Sequence, residues 1–359
     1  MGAILGLGLS HYPGPAVPPE FWPRHLQTQV ERGRIARDLW LDQSRWPAEM
    51  RAEWGTDDGQ TAAHKHHDQL IAGYRRLRAE LDAFNPDVII IWGDDQYENF
   101  KKDCIPAFCV FIVDDMKCQP LADLERGAFR TSTNAWGLPP DYNIPVKSHK
   151  KAATGLTRYL LDQDVDVAYS MQMRYERGLP HSFANTVLYL DYDQTGFPYP
   201  LVPFHVNCYG NELMTTSASL VGEGTGELSP QAPSPRRCFE VGRITARYLR
   251  DSPWRVAVIA TSSWSHGSLT KKHQRLYPDV ESDRVHYDEL KNNRLSNWGK
   301  LGIADLEQSG QHEMLNWICL AGAMTELGQA PSFTDYCESY IFNSTKCFAV
   351  FPPALEPAR

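Results

Sequence analysis

The stretch Asn85-Pro86-Asp87-Val88-Ile89-Ile90-Ile91-Trp92-Gly93-Asp94-Asp95-Gln96 decides the fold class. No polar residue interrupts Val88 to Trp92, so this strand is buried on both faces, as parallel strands covered by helices are. Asn85-Pro86 stops the preceding segment, His64 to Phe84, where Leu70, Tyr74, Leu77 and Leu81 recur at the helical period of three or four. The same unit returns further on: Cys238, Val241, Ile244, Tyr248 and Leu249 mark a helix, Asp251-Ser252-Pro253 ends it, and Val256-Ala257-Val258-Ile259-Ala260 follows as a strand. A third apolar strand opens the chain at Ile4 to Leu9. Helices alternating with doubly buried strands predict an α/β fold: a single elaborated domain over 1–359, with a largely parallel or mixed central sheet flanked by helices.

A chain of 359 residues admits one large domain or two, and no composition break is sharp enough to divide it. Three segments depart from the alternation and read as long loops: the Pro- and Trp-rich insertion at 12–60, residues 119–148, and Gly222 to Pro235. Long structured loops commonly serve as lids or subunit contacts, and 12–60 is the expected cover of a site. The net charge of −8 leaves no basic footprint for nucleic acid. No run approaches the roughly 18 apolar residues that cross a bilayer, and no basic leader with a cleavage site opens the chain, so a cytoplasmic location is expected. The eight cysteines include no CxxC pair, which argues against a zinc knuckle; they read as reduced, mostly core thiols.

The polar residues of interest stand where strands and helices meet turns. Ser10-His11 follows the first strand, Asp94-Asp95-Gln96 the second, Ser262-Ser263-Trp264-Ser265-His266 the strand at Val256, and Glu313 opens an apolar helix. In an α/β sheet ligands bind beyond the carboxyl ends of the strands, so these residues converge on a metal or acid/base site. His11 with Glu313 suits a divalent iron, manganese or zinc centre, and the third donor is sought among Asp94, Asp95, Gln96 and His181. Each residue also has a structural reading: Asp94-Asp95 fits an Asx turn, Glu313 a carboxylate at a helix start, and His64, His66 and His67 a solvated helix face.

Several short motifs, in order along nearly the whole chain, resemble the class III extradiol ring-cleavage dioxygenases, and among them the LigB-type catalytic subunit of protocatechuate 4,5-dioxygenase. They are Gly8-Leu9-Ser10-His11-Tyr12-Pro13, Asn85 to Ile91 with its acidic turn, Val202-Pro203-Phe204-His205-Val206-Asn207, Arg236 to Gly242, Trp264-Ser265-His266 and Glu313-Met314-Leu315-Asn316-Trp317. The resemblance implies a non-haem Fe(II) enzyme that opens a catechol- or gallate-type aromatic ring with dioxygen. It implies His11 and Glu313 as iron ligands and His266 as the proton-handling histidine, with His181 second in that role.

The chain departs from the family at two places. Gln96, preceded by Asp95, stands where the second histidine ligand is expected, so Gln96 or Asp95 coordinates the metal, His181 supplies the missing nitrogen, or the metal is lost. Glu176-Arg177-Gly178 replaces an Asp-His-Gly, with His181 four residues beyond Arg177. The Gly-Asp-Asp-Gln turn and the downstream Gly-x-x-His-x-Phe resemble the branch that includes 3-O-methylgallate dioxygenases. Tyr12 and Asp94 are expected at the substrate, and Arg177, Lys271 or Lys272 is a candidate to hold a substrate carboxylate. A small aromatic molecule and O2 are the implied partners, with a homodimer as the default assembly. The alternatives are a metal-dependent hydrolase or different oxygenase on the same scaffold, or a non-catalytic binding relative.

Overall fold

The computed structural model describes residues 2–353, apart from 102, 123, 126, 128, 130, 174–177, 211–212, 215–219 and 222–230. Its strands are β1 (Ile4–Leu9), β2 (Val88–Gly93), β3 (Phe108–Phe111), β4 (Asp115–Met116), β5 (Val146–Lys147), β6 (Ala168–Ser170), β7 (Leu201–Val206), β8 (Leu213–Met214), β9 (Leu220–Val221), β10 (Val256–Thr261), β11 (Phe333–Cys337) and β12 (Lys346–Phe351). The helices are α1 (Arg24–Glu31), α2 (Arg37–Leu41), α3 (Ala48–Trp54), α4 (Gln60–Phe84), α5 (Lys150–Asp162), α6 (His181–Leu190), α7 (Pro235–Arg250), α8 (Val280–Lys291), α9 (Ile303–Gln308) and α10 (Met314–Leu327).

Eight strands form one sheet in the order β11-β12-β1-β10-β2-β7-β3-β6, and β4-β5 and β8-β9 are small separate ladders. The centre is parallel: β1 pairs with β10, β10 with β2, and β2 with β7. Antiparallel pairing enters at β3 against β7, and at β12 against β1 and β11. The sheet is therefore mixed, within the α/β class expected. Every residue of β1, β2, β7 and β10 is buried, because one apolar layer covers each face. The parallel trio β1-β10-β2 brings the ends Leu9, Thr261 and Gly93 to one edge, and the site is built there.

The helix ends follow local chemistry. Asn85 leaves α4 in a left-handed conformation (φ 49°) with its N–H on the Leu81 carbonyl, before Pro86. Ser234 caps α7, its hydroxyl accepting from Arg237 N at 3.3 Å, with Pro235 in the first turn. Helices α7 and α10 pack closely because Gly242 has no side chain: a Cβ there would sit 1.9 Å from the Cys319 carbonyl oxygen. Since the obstacle is backbone, Gly242→Ala should force the helices apart and destabilise the fold by about 1–3 kcal/mol, read as a lower urea midpoint. An unchanged midpoint would show that the pair separates freely.

The 12–60 segment is more ordered than a loop. It folds into α1, α2, α3 and three 3-10 turns, and its tryptophans do the packing: Trp22 Nε1 donates to the Gly14 carbonyl at 3.0 Å, and Trp46 Nε1 to that of Leu39 at 3.0 Å. Residues 119–148 carry only β5 and turns among the described positions. Most of the Gly222 to Pro235 stretch lies outside the described residues. All eight cysteines are free, and all but Cys104 are buried. Among the described residues no helix is long and apolar enough to cross a membrane.

His66 differs from the solvated face expected for the 64–67 histidines, since it is buried on α4 with Nε2 3.3 Å from the Nζ of Lys346, itself fully buried on β12. That ammonium also donates to the Phe342 carbonyl at 3.1 Å and lies 3.9 Å over the Tyr12 ring. Burial pulls Lys346 down from the ordinary 10.5 to about 7, against the opposing pull of Cys337 and Glu53. In the unfolded chain the lysine keeps its proton to higher pH than in the fold, so its contribution to stability rises between pH 7 and 10.5. Lys346→Met should flatten that rise, by at most about 1.4 kcal/mol per pH unit. Urea titrations at pH 7, 8 and 9 measure it, and parallel curves for the two proteins would refute the assignment.

Candidate metal centre

Four segments deliver the candidate ligands. His11 leaves the end of β1, and its Nδ1 is 3.1 Å from the Thr261 carbonyl on β10, which fixes Nδ1 as the protonated nitrogen and leaves the Nε2 lone pair inward. His181 opens α6, with Nδ1 3.1 Å from Glu98 Oε2 and its backbone N–H on Glu98 Oε1 at 2.9 Å. Glu313 stands at the N-cap of α10. Asp94 follows β2, fully buried.

These groups converge. One donor atom each from His11, Asp94 and His181 lies within 4.8 Å of the others, and Glu313 Oε2 is 3.5 Å from His11 Nε2. The two imidazoles meet edge-on, with centroids 5.0 Å apart. Asp94 Oδ2 and Glu313 Oε2 are buried without a hydrogen-bond partner among the described residues. Buried carboxylate oxygens facing imidazole lone pairs are costly unless a cation joins them, so the donor set fits a divalent metal.

The protonation balance agrees. Burial lowers His181, but the charges of Glu98, then Asp94 and Glu313, outweigh it and hold the imidazole up to about 9. Burial, aided by the charge on His181, pushes His11 well below its usual value, whereas burial raises Glu313 to about 7 against the Tyr209 hydrogen bond. The carboxylates of Glu98, Asp94 and Glu313 thus favour a positive charge among them, the charge a metal cation would supply.

The surroundings hold these groups in place. Tyr209 OH and Gln96 Nε2 both donate to Glu313 Oε1, the latter at 3.3 Å, leaving Oε2 for the centre. Asn185 Nδ2 donates to the His11 carbonyl at 3.1 Å, Ser182 Oγ to that of Asp94 at 2.6 Å, and Ser262 Oγ to that of Glu313 at 2.8 Å. His266 lies beside the cluster: Nδ1 is 3.1 Å from the Trp264 carbonyl, and Nε2 is 3.7 Å from Glu313 Oε1. Burial lowers His266 to about 4, so it is neutral at pH 7 with a free Nε2 lone pair. Its loop is anchored by buried Asp283, which accepts from Ser265 N and Oγ, from Gln311 Nε2 at 2.6 Å and from Thr345 Oγ1 at 2.6 Å. One carboxylate thereby joins the segments that carry His266 and Glu313.

The remaining expected residues divide. Gln96 sits in the site, but its amide points N–H groups at Glu313 and Tyr209, the behaviour of a ligand's neighbour. Asp95 turns away: its oxygens accept from the backbone N–H groups of Glu98, Asn99 and Phe100, at 2.7–3.2 Å, so the turn needs it as a cap and the cluster takes Asp94 instead. Tyr12 lines the adjoining cavity. Lys271 is exposed on a short turn that runs to His273 and does not line that cavity. Arg177 lies outside the described residues. His205 is buried against the Phe100 ring, centroids 4.6 Å apart, a core position.

Glu98, Tyr209 and Asp283 escaped the reading of the sequence. Glu98 left a trace there, as the third acid within the five residues Asp94 to Glu98. Tyr209 and Asp283 left none, since each acts through partners distant in the chain: Tyr209 through Glu313, Asp283 through Ser265, Gln311 and Thr345.

The cavity beside the cluster holds about 130 Å³ and is walled by Tyr12, Pro13, Ala16, Leu124 and Phe129, and His11, His181, His266 and Glu313 also line it. It is of the order that a single benzene ring fills, ~150 Å³ in engineered cases.

No family model matches the chain. It is 24% identical over 224 residues to the 2,3-dihydroxyphenylpropionate/2,3-dihydroxicinnamic acid 1,2-dioxygenase of Photorhabdus laumondii, a match that covers 62% of this chain and 56% of that protein. It is 24% identical over 293 residues to a protein of the same name, numbered 2, from Pseudomonas putida, covering 73% of this chain and 83% of that one. A Rhodococcus protein of that name is 25% identical over 291 residues, with coverage of 73% and 83%. The chain thus spans little more than half of the first relative and most of the other two.

Proposed function

We propose that this chain is an Fe(II)-dependent extradiol dioxygenase that opens the ring of a catechol- or gallate-type substrate. The observation that carries the reading is the meeting of two imidazoles with two buried carboxylate oxygens that have no hydrogen-bond partner among the described residues, beside a ring-sized cavity. Similarity to proteins named as dioxygenases of dihydroxyphenyl compounds supports it. His11, His181 and Glu313 would hold the iron, with Asp94 beside them; His181 takes the nitrogen position that Gln96 vacates. Two histidines and a carboxylate leave open positions at non-haem iron, and the bound ion would supply a binding point for two vicinal ring oxygens and for O2.

The chain's own groups do the rest. The apolar walls hold the ring flat and keep bulk water out. His266, neutral with its Nε2 lone pair turned to the cluster, takes a phenolic proton and returns it to the product. Glu98 fixes the His181 ring through Nδ1, and Tyr209 with Gln96 fixes the Glu313 carboxylate, so neither has to reorganise as the substrate enters.

Anaerobic loading with Fe(II), followed by oxygen uptake on a panel of catechols, protocatechuate, gallates and aminophenols, tests the reading. Stoichiometric uptake with a yellow ring-opened product is expected. Catechols that bind with no oxygen consumed under any metal would point instead to a hydrolase or a binding protein on this scaffold.

A further inference from the structure

The imidazole of His266 is held by a peptide, and that peptide is held by a carboxylate. His266 Nδ1 lies 3.1 Å from the Trp264 carbonyl oxygen. The N–H on the other side of the same peptide bond, that of Ser265, donates to Asp283 Oδ2 at 3.3 Å. A peptide unit is planar, so its C=O cannot turn unless its N–H turns with it. Asp283 thereby fixes the direction of the carbonyl that accepts the Nδ1 proton, and with it the tautomer that leaves Nε2 bare. Nε2 is the atom that lies 3.7 Å from Glu313 Oε1.

Asp283, on α8, is itself fully buried and firmly anchored. Oδ2 also accepts from Ser265 Oγ and, at 2.6 Å, from Thr345 Oγ1, while Oδ1 accepts from Gln311 Nε2 at 2.6 Å. The Gln311 amide is turned that way from behind, because its Oε1 lies 3.4 Å from both Ser282 Oγ and His286 Nε2. Every partner of Asp283 donates, which suits an ionised carboxylate. Backbone bonds close the same segments around the histidine: His266 N donates to the Gly310 carbonyl at 3.0 Å, and Thr345 N to that of Ser265 at 3.2 Å. A carboxylate at one end of such a chain polarises the peptide and so strengthens the hydrogen bond at the other.

We propose that Asp283 is a positioning residue for proton transfer, which orients His266 through the Trp264–Ser265 peptide and keeps the ring proton on Nδ1. That His266 carries protons rests on the ring-cleavage reading; the carboxylate–peptide–imidazole chain that orients it does not.

Asp283→Asn tests it, since the amide keeps the shape but offers one acceptor oxygen to donors that face two. After anaerobic loading this variant should hold iron and bind catechol as the native chain does, yet open the ring about 10-fold more slowly in a single turnover, the factor that a lost hydrogen bond to a charged group is worth. In the His266→Ala background the same substitution should change the rate by less than about 2-fold, because the two residues act as one unit. A purely structural role would exact its full loss in both backgrounds. Nitrogen NMR of the zinc-loaded full chain, labelled in its histidine rings, reads the tautomer without any turnover. The His266 signal, identified by its absence from His266→Ala, should show the proton at Nδ1 alone in the native chain and at both nitrogens in Asp283→Asn. Equal losses in the two backgrounds, an Asp283→Asn protein of native rate, or a native His266 protonated at Nε2 would overturn the proposal. Should Asp283→Asn fail to fold, the native spectrum and Ser265→Ala decide: the latter removes the hydroxyl but keeps the peptide N–H on Asp283, so it should lose far less rate than His266→Ala, and an equal loss would overturn the proposal. A native chain that consumes no oxygen, with the tautomer fixed there and lost in Asp283→Asn, would leave Asp283 assigned and overturn the ring-cleavage reading instead.

Discussion

Glu313→Ala protein is expected to hold no iron after anaerobic loading, where the native chain holds about one ion, and to open no ring. The carboxylate brings the oxygen that lies 3.5 Å from His11 Nε2 and has no hydrogen-bond partner among the described residues. Alanine removes it and also orphans the Tyr209 hydroxyl and the Gln96 amide. Loss of a buried charged partner costs several kcal/mol where cation and ligand stay buried together, enough to abolish binding at micromolar metal. His11→Ala and His181→Ala should behave alike, each deleting one of two imidazoles. Gln96→Ala is the contrasting variant: its amide points N–H groups at Glu313, so the iron should be retained, more weakly held. Metal analysis with circular dichroism to confirm folding decides the matter. A Glu313→Ala protein that is folded and fully loaded, or a Gln96→Ala protein stripped of metal, would reverse the two assignments.

His266→Ala should keep its iron and still bind catechol, yet open the ring ~100-fold more slowly or worse, the usual loss for a positioned acid/base group. Nε2 of this histidine lies 3.7 Å from Glu313 Oε1, the oxygen that Tyr209 and Gln96 already hold, and not from the Oε2 that faces His11. Its Nδ1 is committed to the Trp264 carbonyl, so the ring can exchange a proton only at Nε2. Single-turnover kinetics on preloaded protein separate the chemical step from binding. Undiminished turnover, or loss of the metal, would show that His266 does something other than carry protons.

Much of the scaffold was legible in the chain alone, for a local reason. Val88 to Trp92 can be apolar throughout only if both faces of the strand are covered, and Asn85-Pro86 can only end a helix, so the α/β alternation follows from neighbours in sequence. The 12–60 segment was harder. Its prolines and short helices break any period, and the tryptophans that read as loop residues are what order it, through Trp22 and Trp46 donating to carbonyls a few residues away. His66 misled for a related reason: the polar run around it suits a wet helix face, and only the arrival of β12, 280 residues on, buries it against Lys346.

The site divides along the same line. That His11, Asp94, His266 and Glu313 stand at element ends is a property of the sequence, and the parallel register of β1, β10 and β2 then obliges three of them to share an edge. Which of three successive residues turns inward after β2 was not decidable from spacing. Asp94 and Asp95 have the same chemistry, and the choice falls to Asp94 because the backbone N–H groups of Glu98, Asn99 and Phe100 claim both oxygens of Asp95. The pairing of Glu98 with His181 and of Tyr209 with Glu313 likewise depends on distances of a few ångströms between side chains that only packing brings together. Hydrophobic period is written residue by residue along the chain, whereas the direction of a hydrogen bond between distant side chains exists only once the sheet has closed.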